Sequence, residues 1–222
     1  MTTQELHGRL ALVTGASRGI GAATAEALAA AGAHVVLAAR TEGGLVEVED
    51  RIHAAGGTAT IAPMDVTDGE QVDRLAQALA ARWGRLDMLV LNAAMLGDLM
   101  PLTQYPPAQF ERIFATNTTA PWRMLRACDP LLRASASGRV LALTSSVAQA
   151  PRAYWGPYAA SKAALENLIA TYAAEVRNIS AVRAGIFNPG ATATAMRRQA
   201  YPGEDPSTLR TPHAAAAEIL SA

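Results

Sequence analysis

A tyrosine and a lysine stand one helical turn apart in the segment YWGPYAASKAALENL. Tyr158 and Lys162 are four residues apart in a stretch made mostly of small and apolar residues, and this spacing puts both side chains on one face of a helix. A phenol titrates at about pH 10, and a neighbouring ammonium group favours the phenolate and lowers that pKa. The pattern therefore predicts an acid/base pair in which Lys162 lowers the pKa of Tyr158.

A glycine-rich turn, TGASRGIG, follows the first apolar run of the chain. Its three glycines permit a tight turn, a close backbone approach to a phosphate and the packing of a helix on a strand. The turn comes after a predicted strand and opens a predicted helix, which is the context in which this motif binds a dinucleotide. The predicted cofactor residues of the loop are Gly15, Ser17, Arg18, Gly19, Ile20 and Gly21.

The end of the second predicted strand carries Arg40, where NAD-binding folds place an acid for the ribose 2′-hydroxyl. A guanidinium suits a 2′-phosphate, because it offers a planar fork of donors and a fixed charge. Arg18 lies where it can hold the same phosphate. We therefore predict NADP(H), with NAD(H) as the alternative if both arginines are only solvated. Asp65 ends the third strand and is predicted to contact adenine, because Asp68 is the better N-cap of the next helix.

Six short apolar runs alternate with helical segments along the whole chain. Continuous apolar strands such as LDMLVL are typical of a parallel sheet covered on both faces. We predict an α/β protein with a Rossmann-like, doubly wound, three-layered parallel sheet of six strands, formed as a single domain over residues 1–222. A long helical region is predicted over residues 107–133. Ligands of such sheets bind beyond the carboxyl ends of the strands.

The composition argues against several classes of function. The 19 basic and 19 acidic residues are scattered, so neither a nucleic-acid footprint nor an anionic-membrane footprint is present. No segment reaches the about 20 apolar residues of a membrane span, and we expect a cytoplasmic protein. Cys128 lies in an apolar helical pattern that predicts a packed thiol, and the dispersed histidines predict no metal site.

Taken together, these motifs resemble the short-chain dehydrogenase/reductase family. The resemblance rests on TGASRGIG, Asp65-Val66, LNAA, Asn117, Ser145, YAASK and Pro189-Gly190, in family order over nearly the whole chain. It implies an oxidoreductase that interconverts a carbonyl and an alcohol. For the serine the alternative is a strand-end cap, with Ser146 as its equal, but the spacing of thirteen residues to Tyr158 selects Ser145.

The resemblance also implies roles. Tyr158 donates a proton to the carbonyl oxygen as hydride arrives from nicotinamide, Lys162 also holds the nicotinamide ribose, and Ser145 hydrogen-bonds the same oxygen. The main-chain carbonyl of Asn117 binds a water in a proton relay. Pro121 lies four residues later and has no N–H, so that carbonyl loses its intrahelical donor and the helix should kink. The alternative is a bend that only follows the core.

The remaining cofactor contacts implied by the resemblance are those of Val66, Asn92, Pro189, Gly190 and Thr194. Two departures accompany them. Leu91 and Ala94 replace an asparagine and a glycine of the family signature around Asn92, and the chain stops at Ala222, before the usual last strand. We expect six strands, and a homodimer through the helices that hold Asn117 and Tyr158.

The substrate pocket is predicted to be mostly apolar. Met95, Leu96, Leu99 and Met100 follow the fourth strand, and such side chains favour a small-molecule carbonyl or alcohol with a hydrophobic body. Tyr154 and Trp155 are expected to shape the pocket, and residues 191–212 are expected to form a flap over it. The alternatives are an NAD(H)-dependent alcohol dehydrogenase of the same family and a non-catalytic nucleotide-binding protein.

Overall fold

A computed structural model describes residues 5–221 of the protein. Six parallel strands form one sheet in the order β3-β2-β1-β4-β5-β6. The strands are β1 (Leu10–Thr14), β2 (His34–Ala39), β3 (Thr58–Pro63), β4 (Met88–Leu91), β5 (Arg139–Leu143) and β6 (Arg183–Phe187). In the register, Leu12 pairs with Val36 on one side and with Leu89 on the other. The predicted six-stranded, doubly wound sheet is confirmed.

Helices cover both faces of the sheet. The helices are α1 (Gly19–Ala30), α2 (Glu42–Ala54), α3 (Gly69–Trp83), α4 (Pro107–Phe114), α5 (Ala120–Ala134), α6 (Gly156–Val176), α7 (Ala195–Ala200) and α8 (Pro212–Ser221). Helices α1, α2 and α8 pack on one face, and α3, α5 and α6 pack on the other. Among residues 5–221, no helix has the length and apolar content that a membrane crossing requires.

Alternate residues of the strands point into two separate cores. In β1, Leu10 and Leu12 belong to the core under α3, α5 and α6, whereas Ala11 and Val13 belong to the core under α1 and α2. Successive side chains of a strand point to opposite faces, so a strand buried on both sides must be apolar throughout. This is why the strands are continuous apolar runs rather than alternating ones.

The helical region predicted over residues 107–133 is not one uniform helix. A π-helical turn, Ala115–Thr119, joins α4 to α5, and the N–H of Ala120 bonds the carbonyl of Ala115. Pro121 lies in the first turn of α5, where its missing N–H is tolerated. The expected disturbance is present, but the chain absorbs it as a widened turn around Asn117. Such π-bulges are frequent at functional sites.

The strand order places the candidate site. The chain leaves β1 toward β2 and β3, then returns to β4 on the other side of β1. This reversal opens a crevice beyond the carboxyl ends of β1 and β4, which is where open α/β sheets bind ligands. The glycine loop follows β1 and Asn92 follows β4, so both lie at the crevice.

Candidate active site

The glycine loop has the backbone conformation that its sequence predicts. Gly15 and Gly19 have φ values of +66° and +60°, in the left-handed region that favours glycine. A Cβ at Gly21 would overlap the carbonyl oxygen of Gly15 and the side chain of Asn92. The loop therefore needs its glycines for turning at two positions and for close packing at the third.

Asn92 holds this loop against the sheet. Its Nδ2 donates to the carbonyl oxygens of Thr14 and Gly15, at 2.9 and 3.1 Å. The N–H of Asn92 donates to Oγ1 of Thr14 at 3.0 Å, and that hydroxyl donates to the carbonyl of Val90 at 3.2 Å. Asn92 was predicted as a cofactor residue, and its side-chain amide is used to fix the phosphate loop. Sequence reasoning missed Thr14, whose only signal is a hydroxyl at the end of β1.

The two arginines of the predicted phosphate site are exposed. Within residues 5–221, no hydrogen bond or ion pair engages the side chain of Arg18 or of Arg40, so both guanidinium groups have their donors available. Helix α2, which follows Arg40, begins against the glycine loop: a Cβ at Gly44 would lie 3.1 Å from Cβ of Ser17. The arrangement fits a phosphate outside the β2 end of the loop. Ile20 is half-buried behind it.

The two aspartates after β3, Asp65 and Asp68, make different contacts. Asp68 caps α3, accepting from the N–H groups of Glu70 and Gln71, which confirms its assignment as the N-cap. Oδ1 of Asp65 accepts from N and Oγ1 of Thr67, at 2.9 and 2.8 Å. These bonds make a local turn and leave Oδ2 of Asp65 with no partner among the described residues. Val66 is buried beside it.

Tyr158 and Lys162 lie on the same face of α6, beneath the carboxyl ends of β4 and β5. They are 7 % and 2 % exposed. Burial raises the pKa of Tyr158 to about 12, although a hydrogen bond with Ser145 lowers it in part. The predicted lowering of the tyrosine pKa is therefore wrong for the protein without its cofactor. Helix spacing placed both residues on one face, but burial of the phenol determines the direction of its pKa.

Lys162 is affected by its burial in the opposite sense. Its Nζ donates one hydrogen bond, to the carbonyl oxygen of Leu143 at 2.7 Å. Burial lowers the pKa of this ammonium group to about 8, because the charged form loses hydration that one carbonyl cannot replace. The lysine therefore changes charge close to neutral pH, one helical turn from Tyr158.

Ser145 is available for a ligand. It stands at the end of β5 before a short 3₁₀ turn, Ser146–Ala148, and its side chain makes no capping hydrogen bond to that turn. The alternative of a strand-end cap is therefore wrong. Ser145 is half-buried and acts on the pKa of Tyr158, whereas Ser146 is exposed. The structure thus separates the two serines as the spacing did.

Asn117 is fully buried at the centre of the π-helical turn. Its Oδ1 accepts from the N–H of Met95 at 2.7 Å, and its Nδ2 donates to the carbonyl of Met95 at 2.9 Å and to Oγ of Ser161 at 3.0 Å. Ser161 in turn donates to the carbonyl of Tyr158 at 2.8 Å. The side chain therefore ties the turn to the β4 loop and to the first turns of α6. Ser161 was not predicted from sequence.

The segment after β6 reaches back over the glycine loop. A Cβ at Gly19 would lie 3.6 Å from Cγ2 of Thr194, and Thr194 caps α7 through a bond from the N–H of Arg197 at 3.1 Å. Gly190 turns the chain with φ +67°. The carbonyl of Pro189 accepts from Arg210 Nη1 at 3.2 Å, which closes the base of the flap. Thr194 therefore lies beside the predicted cofactor loop.

Comparison with known proteins agrees with this geometry. The sequence model described as short chain dehydrogenase matches residues 9–205. The chain belongs to the short-chain dehydrogenase/reductase family. As a short-chain dehydrogenase/reductase it is an oxidoreductase of the class that acts on CH–OH and C=O groups, so the expectation of an enzyme is confirmed.

Three relatives illustrate the similarity. The Escherichia coli K12 protein named "Uncharacterized oxidoreductase YciK" is 38 % identical over 210 residues, which cover 93 % of this chain and 82 % of that protein. A structure described as a short-chain dehydrogenase from Pseudomonas syringae has a TM-score of 0.93 at 43 % identity, covering 96 % of this chain and 87 % of that one. A short-chain dehydrogenase from Escherichia coli CFT073, complexed with NADPH, has a TM-score of 0.90 at 37 % identity, covering 100 % and 91 %.

The surroundings of Tyr158 in this short-chain dehydrogenase/reductase are apolar. Leu96, Val147, Tyr158 and Ala159 form a buried cluster, against which the following half-buried residues pack: Leu99, Trp155, Met196 and Ala200. The ring of Trp155 lies 5.9 Å from that of Tyr158 and 5.8 Å from that of Tyr201. Trp155 rather than Tyr154 covers the catalytic candidate, because Tyr154 is 59 % exposed.

Neither the histidines nor the cysteine enter this site. Within residues 5–221, no group of three or more His, Cys, Asp or Glu side chains is placed to hold a metal ion. Cys128 is buried in α5, and burial raises the pKa of its thiol to about 12. The thiol is therefore inert packing, as its apolar context predicts.

Proposed function

We propose that the protein interconverts a carbonyl and an alcohol with NADP(H), and that Tyr158, Lys162, Ser145 and Asn117 carry the proton chemistry. One observation carries the proposal: a buried, protonated phenol and a buried amine of near-neutral pKa lie on one face of α6, beside a glycine loop built for a dinucleotide. Perturbed titratable groups gathered in a cleft are characteristic of catalytic sites. We assign this activity to one domain formed by residues 1–222.

The residues present fit the cofactor. When bound, the nicotinamide supplies the hydride for reduction or accepts it in oxidation. The left-handed turns at Gly15 and Gly19 give the loop the backbone conformation that suits a diphosphate, and the free guanidinium groups of Arg18 and Arg40 suit a 2′-phosphate. The NADPH bound to the Escherichia coli CFT073 relative supports the same preference. Further holding residues are Ser17, Gly19, Ile20, Asp65, Val66, Asn92, Lys162, Pro189, Gly190 and Thr194.

The pKa values favour the direction of reduction. With a pKa of about 12, Tyr158 keeps its proton at neutral pH and presents a donor to a carbonyl oxygen. The Ser145 hydroxyl donates to the same oxygen. A phenolate left in this buried site is costly, so it must be reprotonated. Lys162, with a pKa of about 8, is the proton source nearest along the helix, and water at the main-chain carbonyl of Asn117 would replenish it.

The proposed substrate is a carbonyl compound with an apolar body. The pocket cluster offers aliphatic and aromatic side chains. Arg197, the cation of the flap nearest to Tyr201, is already paired with Glu204 and stacked 3.9 Å from the Tyr201 ring. The charge of Arg197 is therefore balanced within the flap, and the apolar cluster favours a substrate with an uncharged body. Arg152, whose Nη1 donates to Tyr201 Oη at 3.0 Å, is a second cation at that ring, and it has no carboxylate partner among the described residues.

The test is a steady-state assay with uncharged aromatic and aliphatic ketones and aldehydes, run with NADPH. We expect Tyr158→Phe to lower kcat by about 10² to 10⁴, the usual contribution of general acid catalysis, with little change in the dissociation constant for NADPH. Tyr154→Phe is the matched control, because its ring is exposed, and it should retain activity. Full activity of Tyr158→Phe would remove the mechanism.

The cofactor preference has its own test. Arg40→Ala should raise the KM for NADPH by about tenfold or more, because it removes a charge-assisted contact of about 1.5–3 kcal/mol, and should leave the KM for NADH nearly unchanged. Arg177→Ala, an exposed arginine at the end of α6, is the control. A higher kcat/KM for NADH than for NADPH in the unmodified protein would favour the NAD(H)-dependent alternative.

We also propose a homodimer through the helices that hold Asn117 and Tyr158. The interface would cover two large apolar side chains: Phe110 on α4 is 37 % exposed and Trp122 on α5 is 46 % exposed. Light scattering of the purified protein should give twice the chain mass. A monomer or a tetramer would contradict this assembly.

A further inference from the structure

Glu166 is a half-buried carboxylate on α6 that the proposed mechanism does not use. It follows Lys162 by one helical turn, as Lys162 follows Tyr158, so the three residues share one helix face. Its Oε1 accepts from Oγ1 of Thr144 at 2.5 Å. Its Oε2 accepts from Nε2 of Gln149 at 3.2 Å. Each carboxylate oxygen therefore binds a different point of the loop after β5.

The two points enclose Ser145. Thr144 precedes the serine and is 6 % exposed, with its N–H bonded to the carbonyl of Phe187 at 2.9 Å. Gln149 closes the short 3₁₀ turn that follows. Between them, Val147 is buried beside Tyr158. The segment 144–149 is thus tied to α6 at both ends, through one side chain.

Lys162 adds a third tie just before the segment, because its Nζ bonds the carbonyl of Leu143 at 2.7 Å. Ser145 itself makes no capping bond, so apart from its hydrogen bond with Tyr158 its hydroxyl is positioned by the backbone that carries it. A reacting group must be held within about 0.5 Å of its productive position, and a misplacement of about 1 Å can cost about 10² in rate.

We propose that Glu166 is the positioning residue of Ser145: it binds Thr144 and Gln149 together and so holds the Ser145 hydroxyl at a fixed place relative to Tyr158. This inference rests on the proposed function, in which Ser145 contacts the substrate oxygen. A carboxylate suits the task because both of its oxygens accept. A glutamine at this position would keep the bond from Thr144, but it could bond Gln149 only after the Gln149 amide turned over, and both bonds would lose their charge assistance.

The first experiment removes the negative charge of Glu166. Glu166→Gln should lower kcat for carbonyl reduction about tenfold, the size expected from losing one charge-assisted hydrogen bond in a positioning contact, while the dissociation constant for NADPH stays within about twofold. In the double variant Glu166→Gln/Gln149→Glu the donor and the acceptor exchange places, so the charge-assisted hydrogen bond between the two side chains can form again. This double variant should recover most of the lost kcat. Glu175→Gln, at an exposed acid of the same helix, should have no effect. Failure of the reversed pair to recover activity would contradict the inference.

The second experiment asks whether the effect passes through Ser145. In a Ser145→Ala background, Glu166→Gln should cause almost no further loss of kcat, because the group that it positions is gone. The same tenfold loss in both backgrounds would overturn the inference and leave the proposed function standing. A full kcat in Ser145→Ala alone would instead overturn the role of Ser145 in the proposed function, so the two failures are distinguishable.

A milder variant serves if Glu166→Gln folds poorly. Gln149→Ala changes only an exposed side chain and removes one of the two ties, so it should fold normally. We expect it to lower kcat about threefold, again only when Ser145 is present. An unchanged kcat in Gln149→Ala, together with normal thermal unfolding, would count against the two-point attachment.

Discussion

The two edges of the sheet bury opposite charges in opposite ways. At the amino edge, Asp87 is 2 % exposed and accepts four hydrogen bonds, from the Leu10 N–H at 2.8 Å, Ser135 Oγ at 2.7 Å, Arg9 Nη1 at 3.1 Å and Arg85 Nε at 3.3 Å. At the carboxyl edge, Lys162 is equally buried, but its Nζ makes one hydrogen bond, to a carbonyl.

The difference in hydrogen bonding distinguishes a buried charge that stabilises the fold from a buried charge that can take part in the reaction. Burial would raise the pKa of Asp87, but the hydrogen bonds from Ser135, Leu10 and Arg9 outweigh it and leave that pKa below its ordinary value. For Lys162 nothing offsets burial, so its pKa falls toward neutrality. A charge satisfied on all sides is fixed across the working pH range, whereas an under-satisfied one can exchange its proton.

The largest expected effect is on the activity of a Lys162→Met variant. Methionine has a similar length to lysine and no charge, so the substitution should lower kcat by about 10³. It should not lower the free energy of unfolding, because it removes a costly buried ammonium group. Steady-state rates with NADPH and urea unfolding at pH 7 measure the two quantities. A variant that loses stability but keeps its kcat would show that Lys162 has a structural role and not a catalytic one.

Asp87→Asn should show the opposite pattern. The substitution replaces one acceptor oxygen of a buried carboxylate by an NH₂ group that faces two donors, and each charge-assisted hydrogen bond lost there costs about 1.5–3 kcal/mol. Arg9 and Arg85 are 38 % and 47 % exposed, so water can hydrate them in the variant. We expect a loss of that order in the free energy of unfolding, with kcat per folded molecule almost unchanged. Urea unfolding gives the first quantity and active-site-normalised rates the second.

The matched control is Asp73→Asn, because Asp73 and Arg126 are both exposed and stand 3.7 Å apart. Exposed pairs contribute about 0–1 kcal/mol, so this variant should unfold almost as the unmodified protein does. If Asp87→Asn lowers the free energy of unfolding no more than Asp73→Asn does, the four hydrogen bonds of Asp87 stabilise the fold no more than an exposed ion pair.

The comparison also shows what the sequence could predict. Apolar runs and their spacing predicted six parallel strands, and the spacing of Tyr158 and Lys162 placed both on one helix face. Residue spacing does not report burial, however, so the direction of the Tyr158 pKa was predicted wrongly. The partners of Asp87 escaped prediction for a related reason: Arg9 and Ser135 are brought to it by the sheet from 78 and 48 residues away.

Glu166 and Asn92 belong to the same class of missed contact. Glu166 is an ordinary polar position of a helix in the sequence, and only the fold reveals that its carboxylate meets the loop that carries Ser145. Asn92 was identified by its motif, but its hydrogen bonds to the backbone at the glycine loop depend on β1 and β4 being neighbours. Motifs identify which residues matter, whereas pairing partners follow from topology.

The smallest expected effect is a pH dependence that belongs to Lys162 alone. The sequence contains one lysine, so protein labelled with ¹³C-lysine gives a single side-chain signal. That signal should titrate at about pH 8 in the protein without cofactor, instead of at the ordinary lysine value of about 10.4. A titration near the ordinary value would show that the ammonium group is hydrated and that the two edges do not differ as described.

The same shift predicts the sign of a stability change. Between the folded pKa of about 8 and the ordinary value of 10.5, the unfolded chain binds a proton that the folded chain does not, so the free energy of unfolding should rise with pH in this window. The slope from one group is at most about 1.4 kcal/mol per pH unit. Urea unfolding from pH 7.5 to 9.5 should show a rise that Lys162→Met lacks. Parallel curves for the two proteins would mean that Lys162 keeps the same pKa folded and unfolded, because only a difference between the two states makes stability depend on pH.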